Sequence, residues 1–285
     1  MQTSLNCIPC FLRQALEAAK ENRLDDEAAA ALMRRSLEHL LEVDWSSPPP
    51  VIARDIQRAI REMTGDPDPY LSKKITATEQ ALALLPEIET MISTSADPFL
   101  TAVKVSIAGN VIDLGAKVRH DIDVAKVLRE SLDAPIDEVM VNRLRQAVPS
   151  AGDVLFLADN AGEIVFDRPL LEMIGPEKVT VVVRGAPTIN DATIDDARRA
   201  GLVERFTIIS NGSDTPGTWL DDCSADFADR FDAAALVIAK GQGNYETLSD
   251  QNRSIFFVFM VKCDVVSRQL GAAPGSYIIR ENRLK

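Results

Sequence analysis

The chain has 285 residues, 46% hydrophobic and 26% charged, a balance that supports a buried core in one large α/β domain or two smaller ones. Lys and Arg number 31 against 43 Asp and Glu; the net charge of −12 argues against a general nucleic-acid binder, which presents a basic face, but leaves room for a local pocket for a small anion. Two histidines, His39 and His120, exclude a histidine-rich metal site, and the four cysteines, Cys7, Cys10, Cys223 and Cys263, are too few to staple a chain of this size.

From the first residue, MQTSLNCIPCFLRQALEAAK lacks the basic segment and apolar run of a secretory leader. No stretch approaches the roughly 18 apolar residues of a membrane span. The expectation is a soluble cytoplasmic protein with neither membrane nor nucleic-acid partners. Apolar residues then recur at helical spacing through Phe11–Lys20, Asp26–Val43, Val51–Glu62 and Leu71–Ile92. The Ser46-Ser47-Pro48-Pro49-Pro50 and Thr64-Gly65-Asp66-Pro67-Asp68-Pro69 segments break them. Residues 1–95 are therefore expected to form a helical subdomain that caps residues 96–285. Asp97–Ile107 and Val124–Val148 also read as helices, separated by Ala108-Gly109-Asn110-Val111-Ile112-Asp113.

Beyond residue 153 the texture changes to short β-branched runs: Val154–Ala158, Val179–Val183, Arg205–Ile209, Ala234–Ala239, Ile255–Met260 and Tyr277–Arg280. Separations of a dozen residues or more imply βαβ units and a mainly parallel sheet. Ligands of such sheets bind beyond the carboxyl ends of the strands. The segments found there are Asp159-Asn160-Ala161-Gly162-Glu163, Arg184-Gly185-Ala186-Pro187 with Asn190-Asp191-Ala192-Thr193, Ser210-Asn211-Gly212, Lys240-Gly241-Gln242-Gly243-Asn244 and Lys262-Cys263-Asp264. All five should open on one edge.

Asp159, Asn160 and Asp191 offer the carboxylate and amide oxygens that suit hard cations such as Mg²⁺ and Mn²⁺. Lys240, the backbone N–H groups of the Gly241–Gly243 loop and Arg184 would hold a phosphate. A metal, an anion clamp and a nearby acid suggest metal-assisted phosphoester hydrolysis. Taken singly, each segment also reads as a turn or cap: Asp159 to Glu163 as a turn, Asp191 to Thr193 as a helix start, Lys240 as a strand exit. The chain carries neither a P-loop nor a Gly-x-Ser-x-Gly elbow, and Glu246 stands where a dinucleotide fingerprint needs its third glycine. Asp121-Ile122-Asp123 follows charged residues and reads as a solvated helix start, and the two histidines read as surface or packing residues. Cys7-Ile8-Pro9-Cys10 precedes a helix, and structural metal, redox use and plain packing all remain open for it.

The N-terminal C-x-x-C, Gly109 to Asp113, Asp159 to Glu163, Arg184 to Pro187 with Asn190 to Thr193, Lys240 to Asn244, and Lys262-Cys263 occur in that order. Together they resemble the damage-control phosphatase family, also known as domain of unknown function 89 or the acidic-residue-methyltransferase-like metal-binding domain. The C-x-x-C start and late cysteine resemble its prokaryotic branch. This resemblance implies an α/β/α sandwich with a Rossmann-like sheet and a helical subdomain. It also implies a phosphatase for small damaged or surplus phosphometabolites, using Mn²⁺, Ni²⁺, Co²⁺ or Mg²⁺ held by Asp159, Asn160 and Asp191. Lys240 matches the family's phosphate-contacting lysine, and Asn110, Asp113, Glu163 and Arg184 fall in shared motifs.

The expected reaction is hydrolysis of a phosphomonoester. Asp159 is central, Glu163 or Asp113 handles the water, and Lys240, Arg184, Asn110 and Gly241 form the substrate site. The metal, Lys240 and Arg184 would make one cationic pocket in an acidic protein. One alternative is a sensor that binds a metal or phosphometabolite without turnover; another is a redox or metal relay at Cys7, Cys10 and Cys263.

Overall fold

The computed structural model describes residues 1–109 and 129–282. Helices α1 (Ile8–Glu21), α2 (Asp26–Glu42), α3 (Pro49–Thr64) and α4 (Leu71–Ser93) come first. Asp25 caps α2 by accepting from the Ala28 N–H, prolines open α3 where no N–H is needed, and left-handed Gly65 closes it. Ile52, Ile56, Ala59 and Ile60 line one face of α3 and pack with Phe11, Ala15 and Ala18 of α1 and Leu32 and Leu40 of α2. In α4, by contrast, Ala81, Leu85, Ile88 and Ile92 join the core of the sheet. The apolar contacts thus change partner between Tyr70 and Ala81, before the expected boundary at residue 95.

Helix α5 (Pro98–Ala108) follows, and α6 runs from Glu138 to Ser150. The expected single helix over 124–148 is interrupted in its described part. The turn at residues 133–137 contains Pro135, whose ring disfavours helix at the residue before it, and Asp137 caps a new start by accepting from the Met140 N–H.

Six strands follow: β1 (Val154–Leu157), β2 (Val179–Val183), β3 (Thr207–Ser210), β4 (Leu236–Lys240), β5 (Ile255–Met260) and β6 (Tyr277–Asn282). Their order is β3-β2-β1-β4-β5-β6, parallel except for β6, which runs antiparallel to β5. Val154 pairs with both Val179 and Leu236, so the sheet reverses its direction of winding between β1 and β4, where such folds open a crevice. The third strand is shifted toward Ser210 from its expected span, because Arg205 and Phe206 belong to the turn after the preceding helix.

Every residue of β1, β2 and β4 is buried, the mark of strands covered on both faces. Val154 and Phe156 face α4, α5, α6 and α7 (Glu163–Ile174). Leu155 and Leu157 face α9 (Ala225–Ala233), α10 (Gly241–Leu248) and α11 (Asp264–Leu270). A short helix, α8 (Ile194–Arg199), links β2 to β3. The layers are α/β/α, as the resemblance implied.

Ion pairs tie the N-terminal helices to the strand-end loops. Arg58 donates twice to Asp214, at 2.9 and 2.6 Å, and Arg61 donates to Asp214 and, at 2.6 Å, to the Pro187 carbonyl. Lys74, fully buried, bridges Asp68 at 3.0 Å and Asp196 at 2.6 Å. Burial pushes the Asp214 carboxyl up, but Arg58 and Arg61 outweigh it and hold it below the usual range. A carboxyl depressed on folding contributes stability above its ordinary value of 3.8 and loses it as pH falls through the folded value. Asp214→Asn should therefore cost about 1–3 kcal/mol near neutral pH, with a smaller penalty at about pH 3. Denaturant midpoints at the two pH values check this, and an equal penalty at both would contradict the ion-pair account.

Candidate active site

Two backbone segments create the centre of the site. Beyond β1, the chain at Asp159–Ala161 stays extended and pairs with the loop after β2. Ala192 N–H donates to the Asp159 carbonyl at 2.8 Å, Ala161 N–H donates to the Asn190 carbonyl at 2.9 Å, and Asn160 and Asp191 form an antiparallel bridge. The turn between Thr188 and Asp191 places Ile189 at φ 43°, a left-handed conformation costly for a β-branched residue. Asp159, Asn160 and Asp191 are thereby brought together, 7%, 6% and 4% exposed.

None of the three is used as a helix cap. Gly162 occupies the N-cap of α7 without a side-chain bond, and the cap of α8 is the Thr193–Asp196 box. The two segments do form turns, and the helix start expected over Asn190–Thr193 lies at Thr193, but neither the Asp159 nor the Asp191 side chain serves as the cap.

The carboxylates crowd one another. Burial, followed by the charges of Glu163 and Asp191, pushes the Asp159 carboxyl up to about 8. Burial also raises Asp191, although Arg184 donates to its Oδ2 at 2.7 Å and opposes the rise. The Asn160 amide donates to Asp159 Oδ2 at 3.0 Å and Glu163 Oε2 at 2.9 Å, bridging the two acids. Gly241, at φ 79°, begins α10 directly beneath Asp159, where a Cβ would overlap the carboxylate. Only glycine permits that approach, which sets the acid against the positive end of the helix.

Lys240 takes a different place from the phosphate clamp expected of it. Alternation along β4 sends Leu236, Ile238 and Lys240 to the same face, between the sheet and helices α5 and α7. There its ammonium donates to Glu163 at 2.7 Å, Asp167 at 2.5 Å and the Ser106 carbonyl at 2.9 Å, so each of its three hydrogens has an acceptor. Burial works against its charge, but Asp167 and Glu163 hold it above its ordinary value. Arg184 is equally enclosed, 1% exposed, and reaches Asp191, Thr218 and Asn244. Asn244 in turn donates to the Lys240 and Ala158 carbonyls and ties α10 to the ends of β1 and β4. Glu163 does not line the cavity; it accepts from the Asn160 amide, which also bonds Asp159, and its charge acts on Asp159. Asp167 and Ser106 were missed in the sequence; the only signal was the four-residue spacing that puts Glu163 and Asp167 on one face of α7.

In front of these groups a cavity of about 400 Å³ opens toward the N-terminal helices. Asp159, Asn160, Asp191 and Lys262 line it, whereas Lys240, Arg184, Glu163 and Gly241 do not. Lys262, exposed at the end of β5, draws the Asp159 and Asp191 carboxyls down by its charge. The expected cationic pocket is therefore built differently: Lys262 stands on its wall, and Lys240 and Arg184 neutralise acids beneath it. Asn110 and Asp113 lie outside the described residues.

Cys7, Cys10 and Cys263 also line the cavity, which brings the two ends of the chain to one rim; Cys223 lies elsewhere. All are free thiols, and burial raises Cys7 and Cys10 above the ordinary range. Among the described residues no group of three His, Cys, Asp or Glu side chains is arranged as a metal cage. The Asp159, Asn160 and Asp191 set contains two carboxylates and an amide and is of a different kind. Its fit to a hard divalent cation rests on donor chemistry and on the mutual repulsion of its buried acids, which a cation would relieve.

Residues 3–278 match the Damage-control phosphatase ARMT1-like domain. A damage-control phosphatase from Archaeoglobus fulgidus is 36% identical over 98% of this chain and 99% of its own length. Damage-control phosphatase PH1575 from Pyrococcus horikoshii is 31% identical over the full length of both chains. The crystal structure of that duf89 family protein superposes with a TM-score of 0.89, at 29% identity, over 99% of this chain and 100% of the other. The match spans the cap, the sheet and the cavity between them, and the chain belongs to the ARMT1-like damage-control phosphatase family.

Proposed function

We propose that this protein is a metal-dependent phosphatase that hydrolyses small phosphomonoesters, damaged or surplus metabolites among them; its relatives named damage-control phosphatase support the reading. The observation that carries this reading is the convergence of Asp159, Asn160 and Asp191 on one wall of a cavity that also bears Lys262. An oxygen from each of the three would hold a Mg²⁺, Mn²⁺, Co²⁺ or Ni²⁺ ion. The present bonds of Asp159 Oδ2, Asp191 Oδ2 and the Asn160 amide nitrogen could all persist. Such an ion supplies Lewis-acid polarisation of a phosphoryl oxygen and lowers the pKa of bound water.

The chain's own groups do the rest. Lys262 binds the phosphate from the open side and offsets the charge that grows on its oxygens in transfer. Asp159, on the cavity wall, orients the attacking water. Glu163 and Lys240 fix Asn160 and the helix starts from below, so the ligand oxygens are placed before substrate arrives. Arg184 holds Asp191 in one rotamer through its bond to Oδ2.

Asp159→Ala should lower metal-dependent phosphate release from p-nitrophenyl phosphate by orders of magnitude, and a chelator should do the same to the unaltered protein. Full activity in either case would overturn the assignment. The two lysines separate by readout. Lys262→Ala should reduce kcat/KM by roughly 10- to 100-fold and lower the unfolding midpoint far less than the loss of Lys240 does. Lys240→Met should cost about 3–5 kcal/mol of stability, since it strands Glu163 and Asp167 without their cation. An unchanged kcat/KM in the Lys262 variant would remove that residue from the phosphate site.

A further inference from the structure

Glu246 is a cavity-lining acid that neither the metal ligands nor the phosphate contact account for. It stands on α10, past the Gly241 that underlies Asp159, and is 8% exposed. Gln242, one turn earlier on the same face of that helix, donates to its Oε1 at 2.8 Å. Gln242 is itself fixed, because its Oε1 accepts from the Lys262 backbone N–H at 2.9 Å and its Nε2 also reaches the Cys263 sulfur at 3.4 Å. The carboxyl of Glu246 is therefore oriented by a side chain that is tied to the end of β5.

Its partner sets Glu246 apart from the other buried acids. Lys240 meets Glu163 and Asp167, Arg184 meets Asp191, Lys74 meets Asp196, and Arg58 and Arg61 meet Asp214. Asp159 faces the proposed cation. Among the described residues Glu246 has no ion pair, and an amide meets it instead. Two positive charges act on it from a distance: the Met1 ammonium, which donates to its backbone carbonyl, and Lys262. The Cys7 and Cys10 thiols at the start of α1 feel its charge, and the residues that α3 brings to the cavity, Pro49, Pro50, Ala53 and Gln57, carry none. A carboxylate placed there loses hydration without gaining a paired cation, so burial outweighs Gln242, Met1 and Lys262 and raises the carboxyl to about 7.

A carboxyl that keeps its proton beside a phosphoester site has a chemical use. When water attacks phosphorus, the bond from phosphorus to the ester oxygen breaks and leaves an alkoxide, which a positioned acid can protonate as it forms. The charge of Lys262 acts on Asp159, Asp191 and Glu246 alike, so a phosphate bound at that ammonium has the metal-ligand acids and Glu246 as common neighbours. We propose that Glu246 is the general acid of the reaction and gives its proton to the departing alcohol oxygen. The electron pair of the broken P–O bond goes to that oxygen, the Glu246 proton joins it, and the proton released by the attacking water is returned to the carboxylate through solvent. Gln242 is a positioning residue for this step. The inference rests on the phosphatase reading above and adds a catalytic residue to it.

The test uses two esters of similar shape, phenyl phosphate and p-nitrophenyl phosphate, with the most activating of the four cations. Nitrophenolate departs as a stable anion and needs little protonation, whereas the more basic phenolate depends on it. Glu246→Gln keeps the shape of the side chain and removes the acidic proton. It should lower kcat/KM for phenyl phosphate at least about tenfold more than for p-nitrophenyl phosphate, since general acids contribute roughly 10²- to 10⁴-fold. In wild type, kcat/KM for phenyl phosphate should fall as pH rises through about 7, where Glu246 gives up its proton, and the variant should lack this fall. Equal losses on the two esters, or an unchanged fall with pH in the variant, would reduce Glu246 to a structural role and overturn the proposal while the phosphatase reading stands. If the variant does not fold, wild type decides: a fall with pH that is marked for phenyl phosphate and weak for p-nitrophenyl phosphate upholds the acid, and equal falls overturn it. Failure of wild type to release phosphate from either ester removes the phosphatase reading, and the general acid with it.

Discussion

The buried ammonium of Lys240 is the contact on which the ends of the central strands depend. Glu163 and Asp167 on α7 and the Ser106 carbonyl on α5 converge on it from one layer, while its backbone belongs to β4. Two carboxylates in a protein interior cost several kcal/mol each unless a charge and hydrogen bonds meet them. Lys240 supplies both and joins three elements at the point where the sheet changes its direction of winding. Even so, Asp167 remains raised to about 6, with burial outweighing the lysine, and its Oδ2 has no hydrogen-bond partner among the described residues. The cluster is balanced closely enough that one added or removed charge would matter.

From that base the site rises in two tiers. The lower tier, Lys240, Arg184, Glu163, Asp167 and Asn244, is joined by internal hydrogen bonds and does not line the cavity. The upper tier, Asp159, Asn160 and Asp191, is held by the first and looks into the cavity. Asn160 couples the tiers, because one amide nitrogen contacts both Asp159 and Glu163. In a protein with a net charge of −12, this division concentrates Lys262, Lys240 and Arg184 beside and beneath the cavity, as the proposed phosphate site requires. The cap adds the far wall and is moored to the strand-end loops through Asp214 and Asp196.

Much of the fold was legible from pattern. Continuous β-branched runs such as Val179–Val183 announce strands buried on both faces, and the cap helices declare themselves by apolar spacing and by Pro and Gly at their ends. The misreadings have local causes. The helix expected over 124–148 overrode Pro135 because apolar periodicity continued across it, and the third strand was drawn early because Phe206 looks like a strand residue although it packs as part of a turn. The metal-ligand candidates were also legible, since acids and amides immediately after strands must gather on one edge of a parallel sheet.

By itself, then, the sequence determined the class of fold, the edge on which polar groups collect, and the gathering of Asp159, Asn160 and Asp191 there. These depend on local periodicity and on the shared direction of parallel strands. Only the tertiary structure decided what each cation does. Whether a lysine at a strand exit faces ligand or core turns on the parity of its position and on which helix covers that face, and neither is written in the residues around it. Lys240 falls on the covered side and becomes a support; Lys262 falls at the open edge and becomes part of the wall.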